Sequence, residues 1–208
     1  MTDALAHDLK TPLSIISGYA QNLQENIHTE KREHYAGNIQ ENVRRMDEII
    51  KRMLEMSKLE SDHFEIQFED VSLNEISSEI INRYKSICDE KSLTVSLDGE
   101  AVVRADRLLL ERVIDNFFIN AVDNMHEGGV VSIAVNEDIF EIHNSGSHIP
   151  EEIINDIWLP YKKTDMGRNN TKGTGLGLSI AGKILELHRF LYGAKNNEDG
   201  VTFWFKFK

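Results

Sequence analysis

Cysteine, basic residues and long apolar runs are scarce or missing in this chain. It holds one cysteine, Cys88, in 208 residues. That excludes an intramolecular disulfide and a cysteine-built metal site, and it suits a reducing compartment. Lys and Arg number 23 against 35 Asp and Glu, a formal net charge of -12. Such a deficit of cations argues against nucleic acid or an anionic membrane as partner, because both need a basic surface. No apolar run approaches the roughly 18–20 residues that cross a bilayer, and no signal peptide opens the chain, so the sequence reads as soluble. The first sixty residues have no glycine pair and a single proline, Pro12.

That opening stretch is strongly periodic. Ala6, Leu9, Leu13, Ile16, Ala20, Leu23 and Ile27 alternate spacings of three and four, and Ile39, Val43, Met46, Ile50 and Met53 repeat the pattern. The polar His28-Thr29-Glu30-Lys31 stretch between them reads as a turn. The expectation is a helical hairpin with narrow stripes, too small to bury its own apolar face and completed by a second copy as a dimeric four-helix bundle. After the Ser61-Asp62-His63 joint the pattern changes. A helix capped by Ser72 carries Ile76, Ile80, Ile81, Tyr84 and Ile87, and short strands follow at 93–97 and 101–104. A helix over 107–125, strands at 130–135 and 139–143, a helix over 176–188 and strands ending at 203–207 complete a two-layer α/β sandwich. Residues 161–174, polar and glycine-containing, read as a mobile loop. Two domains are expected, 1–62 and 63–208.

Chemistry concentrates at a few places. With Ala6 at heptad position a, His7, Asp8 and Thr11 fall on the outer face of the first helix. A neutral exposed imidazole is a nucleophile, and Asp8 can hold one ring nitrogen so that the other attacks. Thr11, one turn on, can position a water, and Pro12 is expected to bend the helix beside the histidine. Asn116 and Asn120, four apart on a helix, can coordinate Mg²⁺ and phosphates without adding negative charge. Gly173, Gly175 and Gly177 surround Leu176 at the start of an apolar helix, where backbone N–H groups and the helix N-terminus favour phosphate. No Gly-Lys-Ser/Thr follows, so this is not a Walker loop. Asn144-Ser145-Gly146 ends a strand and can bring a polar side chain to a base edge; a plain turn is the other reading. Together these features argue for phosphoryl transfer from a nucleotide to His7.

Taken in order, the segments resemble the bacterial two-component sensor histidine kinases over nearly the whole chain. His7 to Pro12 is similar to the H-box, Asn116 to Asn120 to the N-box, and Ile142 to Ile149 to a degenerate G1 box. Ile157-Trp158-Leu159-Pro160-Tyr161-Lys162-Lys163 is similar to the F-box, and Gly173 to Leu178 to the G2 box. The resemblance implies an α+β chain: a dimerisation and histidine phosphotransfer hairpin, then an ATP-binding domain of the Bergerat (GHKL) fold. It implies ATP and Mg²⁺, with His7 as phospho-acceptor, Asp8 as its acid/base partner and Thr11 supporting the reverse hydrolysis. Asn120 aided by Asn116 would hold Mg²⁺, Lys163 would lie near the γ-phosphate, and Asn144, Gly146, Gly173, Gly175, Leu176 and Gly177 would line the nucleotide. The implied partners are a second copy through residues 1–60 and a cognate response regulator. No nucleic acid is expected, and a membrane only through segments outside this sequence, as in the cytoplasmic part of a cell-membrane sensor. With only six residues before His7, dimerisation is expected to be weak.

Three positions depart from the family pattern. The G1 aspartate that accepts from the adenine amino group is Asn144, a neutral acceptor, so nucleotide affinity is expected to fall. His148 stands for the second G1 glycine, and Asp123 stands where a basic residue commonly meets the phosphates. The segment Leu187-His188-Arg189-Phe190-Leu191 lacks the usual His-Gly-Gly turn. Two alternatives stay open: an enzyme acting mainly as a response-regulator phosphatase, and a nucleotide-sensing dimer that signals by docking.

Overall fold

A computed structural model describes residues 2–61, 63–160 and 175–208, without the side chains of residues 2–4 and His7. The chain divides into two compact units, Met1–Lys58 and Leu59–Lys208.

The first unit is the expected hairpin. Helix α1 (Thr2–Gln24) and helix α2 (Arg32–Leu59) are joined by a 3-10 turn at Thr29–Lys31. The chain reverses through Asn26 and His28, both at positive φ (54° and 49°), a conformation that asparagine and histidine tolerate better than most residues. Pro12 lies inside α1, buried, and the helix runs through it without a break. Tyr19 of α1 stacks on Tyr35 of α2 with ring centroids 5.4 Å apart. Tyr35, Asn42, Ile49 and Met56 of α2 are buried in a line with a seven-residue step, beside the stripe legible in the sequence, and Leu59 is buried at the helix end. Of that stripe Leu13, Val43 and Ile50, with Leu54 beside it, are between 41% and 54% exposed in the single chain, while Ile39, Met46 and Met53 are half-buried.

The second unit is a mixed sheet covered on one face by helices. Its strands are β1 (Glu69–Ser72), β2 (Thr94–Gly99), β3 (Val102–Ala105), β4 (Val130–Val135), β5 (Ile139–Ser145), β6 (Leu191–Asn196) and β7 (Gly200–Lys206). Its helices are α3 (Leu73–Arg83), α4 (Lys85–Glu90), α5 (Arg107–Asp123) and α6 (Gly177–His188). Five strands form one sheet in the order β2-β4-β5-β7-β6, and β1 pairs with β3 apart from it. All pairs are antiparallel except β2 with β4. That parallel pair is not legible from strand patterning, because α5 carries the chain between the two strands and the pairing is set by this crossover.

Ser72 caps α3 as expected, its Oγ accepting from the Glu75 N–H. The single helix expected after it is two: Tyr84 leaves helical dihedrals at φ -98°, ψ 7°. At that joint the Tyr84 ring stacks on Phe118 and its hydroxyl donates to Asp115. Asp106 caps α5 by accepting from the Leu109 N–H. The core lies between sheet and helices. Leu110, Ile114, Phe117 and Phe118 of α5, Ile180, Ile184 and Leu185 of α6, and Phe140, Ile142 and Phe205 of the sheet are all fully buried. Each such side chain contributes about 1.5–3 kcal/mol on leaving water. The alternate residues Ser132, Glu141, His143, Lys195 and Thr202 face the other side, which forms an open polar hollow of about 400 Å³.

Candidate functional site

On the hairpin, α1 places residues 7, 8 and 11 within one turn, and a four-residue step puts positions 7 and 11 on one face. Asp8 is half-buried and Thr11 exposed. The His7 backbone is helical; its side chain lies outside the described residues.

In the second unit α5 supplies the amides. Asn116 is 4% exposed and its Nδ2–H donates to the Arg112 carbonyl at 2.9 Å. Among the described residues nothing donates to its Oδ1, and that atom keeps contact with solvent. One turn on, Asn120 Oδ1 accepts from Asn124 Nδ2 at 2.8 Å, and the same amide donates to the Asn120 carbonyl at 2.8 Å. Asn124, the C-cap of α5, thereby holds the Asn120 side chain in one rotamer. Nothing in the sequence pattern marks this asparagine. The helix is anchored next door, where Asp115 accepts from both Arg83 and Tyr84 at 3.0 Å. Burial beside that carboxylate pushes the Tyr84 hydroxyl up to about 12.

At the far end of β5, Asn144 is 2% exposed and lies on the helix-facing side with Phe140 and Ile142. Its Nδ2–H donates to Ser147 Oγ at 2.8 Å. The loop that follows is tied to the β6–β7 turn. Gly146, at φ 79°, donates its N–H to the Asp199 carbonyl, His148 Nε2–H donates to the Asn197 carbonyl at 2.8 Å, and Asn196 brackets both backbone groups of Ile149. His148 therefore fastens this loop where a glycine would leave it loose. Gly200 is required opposite: a Cβ there would come within 1.9 Å of the Asn144 carbonyl oxygen.

Gly175 has φ 69°, Leu176 is buried, and Gly177 begins α6, whose first turn has no side-chain cap. Uncapped N–H groups at a twelve-residue helix's start suit an anion. Trp158 of the F-box-like segment packs edge-on against Phe117 of α5 and Tyr192 of β6. Lys163 and Gly173 lie outside the described residues, as do all of residues 161–174, the segment expected to be a mobile loop. At its other end α6 finishes on His188, 5% exposed, whose Nδ1–H donates to the Ile184 carbonyl while Nε2 accepts from the Asp106 N–H. Burial holds this imidazole below its ordinary pKa, more strongly than the helix carbonyl raises it. Arg189, at φ 59°, takes the left-handed position that usually belongs to glycine.

Electrostatics set the terms for a nucleotide. From residue 113 to 161 the sequence holds nine acidic residues and no Lys or Arg. That stretch offers no cationic side chain to an anion, whereas the uncapped N–H groups at the start of α6 suit one. No cluster of three or more His, Cys, Asp or Glu able to hold a metal occurs among the described residues. The amide oxygens of Asn116 and Asn120 are hard neutral donors of the kind Mg²⁺ accepts alongside phosphate and water, and the solvent-facing Asn116 Oδ1 fits that use.

Residues 1–62 match the His Kinase A (phospho-acceptor) domain, and residues 105–208 match the histidine kinase-, DNA gyrase B-, and HSP90-like ATPase family. The sensor protein VanSB of Enterococcus faecalis is 26% identical over 97% of this chain and 47% of its own length. The sensor histidine kinase YclK of Bacillus subtilis is 29% identical over 95% of this chain and 44% of its own. The chain thus spans about half the length of the curated relatives it matches. Among solved structures, histidine kinase ThkA in complex with the response regulator protein TrrA aligns with a TM-score of 0.78 and 27% identity, covering 100% of this chain and 60% of that one. A phospho-acceptor hairpin followed by an ATPase sandwich, with both segments matched in order, makes the chain a member of the two-component sensor histidine kinases.

Proposed function

We propose that this chain is an ATP-dependent protein-histidine autokinase that phosphorylates His7 and passes the phosphoryl group to an aspartate of a response regulator. The carrying observation is the pairing, in one chain, of an acceptor-type hairpin with an ATPase unit whose Asn116 and Asn144 both keep an amide oxygen open to a ligand. The functional division runs at residue 62, with 1–62 as dimerisation and phosphotransfer domain and 63–208 as catalytic domain.

Asn144 accepts from the base, the start of α6 with Gly175, Leu176 and Gly177 receives the phosphates, and Gly146 turns the loop beside the base. Lys163 and Gly173 act at the γ-phosphate. Asn120 and Asn116 would hold Mg²⁺, which when bound would offset charge on the phosphates. His7 attacks the γ-phosphorus through one neutral ring nitrogen while Asp8 accepts a hydrogen bond from the other. The new P–N bond forms as the bond to the β,γ-bridging oxygen breaks, and ADP leaves. Positioning and charge neutralisation carry the rate. Thr11, exposed a turn below His7, positions water for the reverse hydrolysis on the regulator.

The exposed Leu13, Val43, Ile50 and Leu54 support a homodimer through residues 1–60. ThkA, similar over the whole chain, is seen with a response regulator, which supports a partner of that class here. No described helix is long and apolar enough to cross a membrane; relatives bearing the name sensor protein and about twice as long support a cytoplasmic part of a membrane sensor. A phosphatase-dominated balance is the second reading, favoured by the neutral Asn144 and by Asp123 in a region without cations.

The test is incubation with Mg²⁺ and γ-labelled ATP, wild type beside His7→Gln. Acid-labile, base-stable label in wild type alone supports the autokinase. ATP bound with no label in either sinks it, and loss of label from a phosphorylated regulator then favours the phosphatase.

A further inference from the structure

The amide of Asn144 is buried, half-committed and reversible. Two buried valines flank it across the sheet, Val131 on β4 and Val201 on β7, so no charged strand neighbour fixes which way it points. Its Nδ2–H donates to Ser147 Oγ at 2.8 Å, with a second, marginal contact of 3.5 Å to the Ser145 carbonyl. Its Oδ1 takes no hydrogen from the described residues and keeps contact with solvent. That acceptor, on a residue otherwise 98% out of water, is met by water or by a ligand group that takes the water's place.

Ser147 decides what that something can be. Its hydroxyl makes no other hydrogen bond among the described residues, and a hydroxyl donates as readily as it accepts. Turned by 180° about its last torsion, the Asn144 amide would receive the Ser147 O–H on Oδ1 and present Nδ2–H outward. Only the marginal 3.5 Å contact is lost. One orientation offers an acceptor to the ligand and the other offers a donor, each with the same serine behind it.

We propose that Asn144, backed by Ser147, reads position 6 of a purine in either sense, so that the site takes 6-oxopurine nucleotides (inosine and guanosine) as well as 6-aminopurine ones. The inference rests on the nucleotide site proposed above and names its substrate range. A 6-amino group donates to Oδ1; a 6-oxo group accepts from the turned Nδ2–H. A carboxylate at this position can only accept, and it would repel the 6-oxo oxygen. The substitution that removes charge from this strand end therefore widens the range of bases.

The test is equilibrium binding of ADP, IDP and GDP, each with Mg²⁺, to the full chain and to Asn144→Asp. Inosine carries the 6-oxo group without the 2-amino group, so IDP separates the reading of position 6 from room for the larger guanine. Wild type is expected to bind IDP within about tenfold of ADP, and Asn144→Asp to widen that ratio by at least roughly another tenfold, as when a buried polar group faces the wrong partner. Wild-type binding of ADP with IDP weaker by a hundredfold or more overturns the inference and leaves the nucleotide site standing. An equal ratio in wild type and Asn144→Asp overturns the role of Asn144. If the folded chain binds none of the three, both the inference and the nucleotide site fall. Should Asn144→Asp not fold, the wild-type ADP to IDP ratio decides alone.

Discussion

The two units solve the burial problem in opposite ways. The ATPase unit closes its own core: Phe117, Phe118, Phe140 and Phe205 are fully out of water, and -11 of the chain's -12 charge lies on residues 59–208 around them. The hairpin is nearly neutral and keeps Leu13, Val43, Ile50 and Leu54 in solvent. A unit that finishes itself can be moved as a rigid tool. A unit with exposed apolar residues left over has a face that the second copy proposed above would cover, and the stability of such a dimer would depend on concentration.

Removing the centre of the self-contained core gives the largest expected effect. Phe117→Ala leaves a cavity beside Trp158 and Phe203 and is expected to cost about 3–5 kcal/mol, read as a lower urea midpoint of tertiary signal while hairpin helicity persists. Loss of both signals together would break the comparison. Next comes the exposed stripe. Val43→Glu with Ile50→Glu is expected to weaken self-association by on the order of 100-fold, since each would bury an unpaired charge. Sedimentation reads that change, and nucleotide binding should be unaltered.

A smaller effect follows from His188. Its folded-state pKa lies below the ordinary imidazole value, so on acidification the unfolded chain takes up this proton first. Its contribution is complete above about pH 6.5 and is lost as the pH falls below that value toward the folded pKa. Denaturation midpoints between pH 7.5 and 5.5 should fall in wild type and fall less in His188→Gln. The smallest change is a gain: Arg189→Gly should relieve the left-handed cap and add about 0.5–1 kcal/mol, seen as a higher melting temperature of the ATPase unit alone.

Periodicity and caps made most elements legible. The 130–135 strand is where alternation puts it, α5 ends within two residues of expectation, and Ser72 caps as read. The signals failed where geometry is set at a distance. Nothing local says that β2 lies parallel beside β4 or that β1 seeks β3, and the seven-residue line of Tyr35, Asn42, Ile49 and Met56 hides because its second member is polar. At the site, motif order marked Asn116, Asn120 and Asn144. The residues that aim them carry no such mark: Asn124 and Ser147 read as ordinary turn residues, and only the folded chain brings their polar atoms to 2.8 Å from the amides. The Asp106 cap had a signal, an acid just before an apolar run.

Strand order has a consequence in time as well as space. β7, the last strand in the sequence, does not sit at the rim; it is the inner strand between β5 and β6. During synthesis β5 therefore waits, with one edge unpaired and Phe140 and Ile142 uncovered by their neighbours on β7, until residues 200–208 have emerged. The ribosome finishes this unit by inserting a strand into its middle, and for that interval the nascent chain presents the kind of open apolar edge that chaperones recognise.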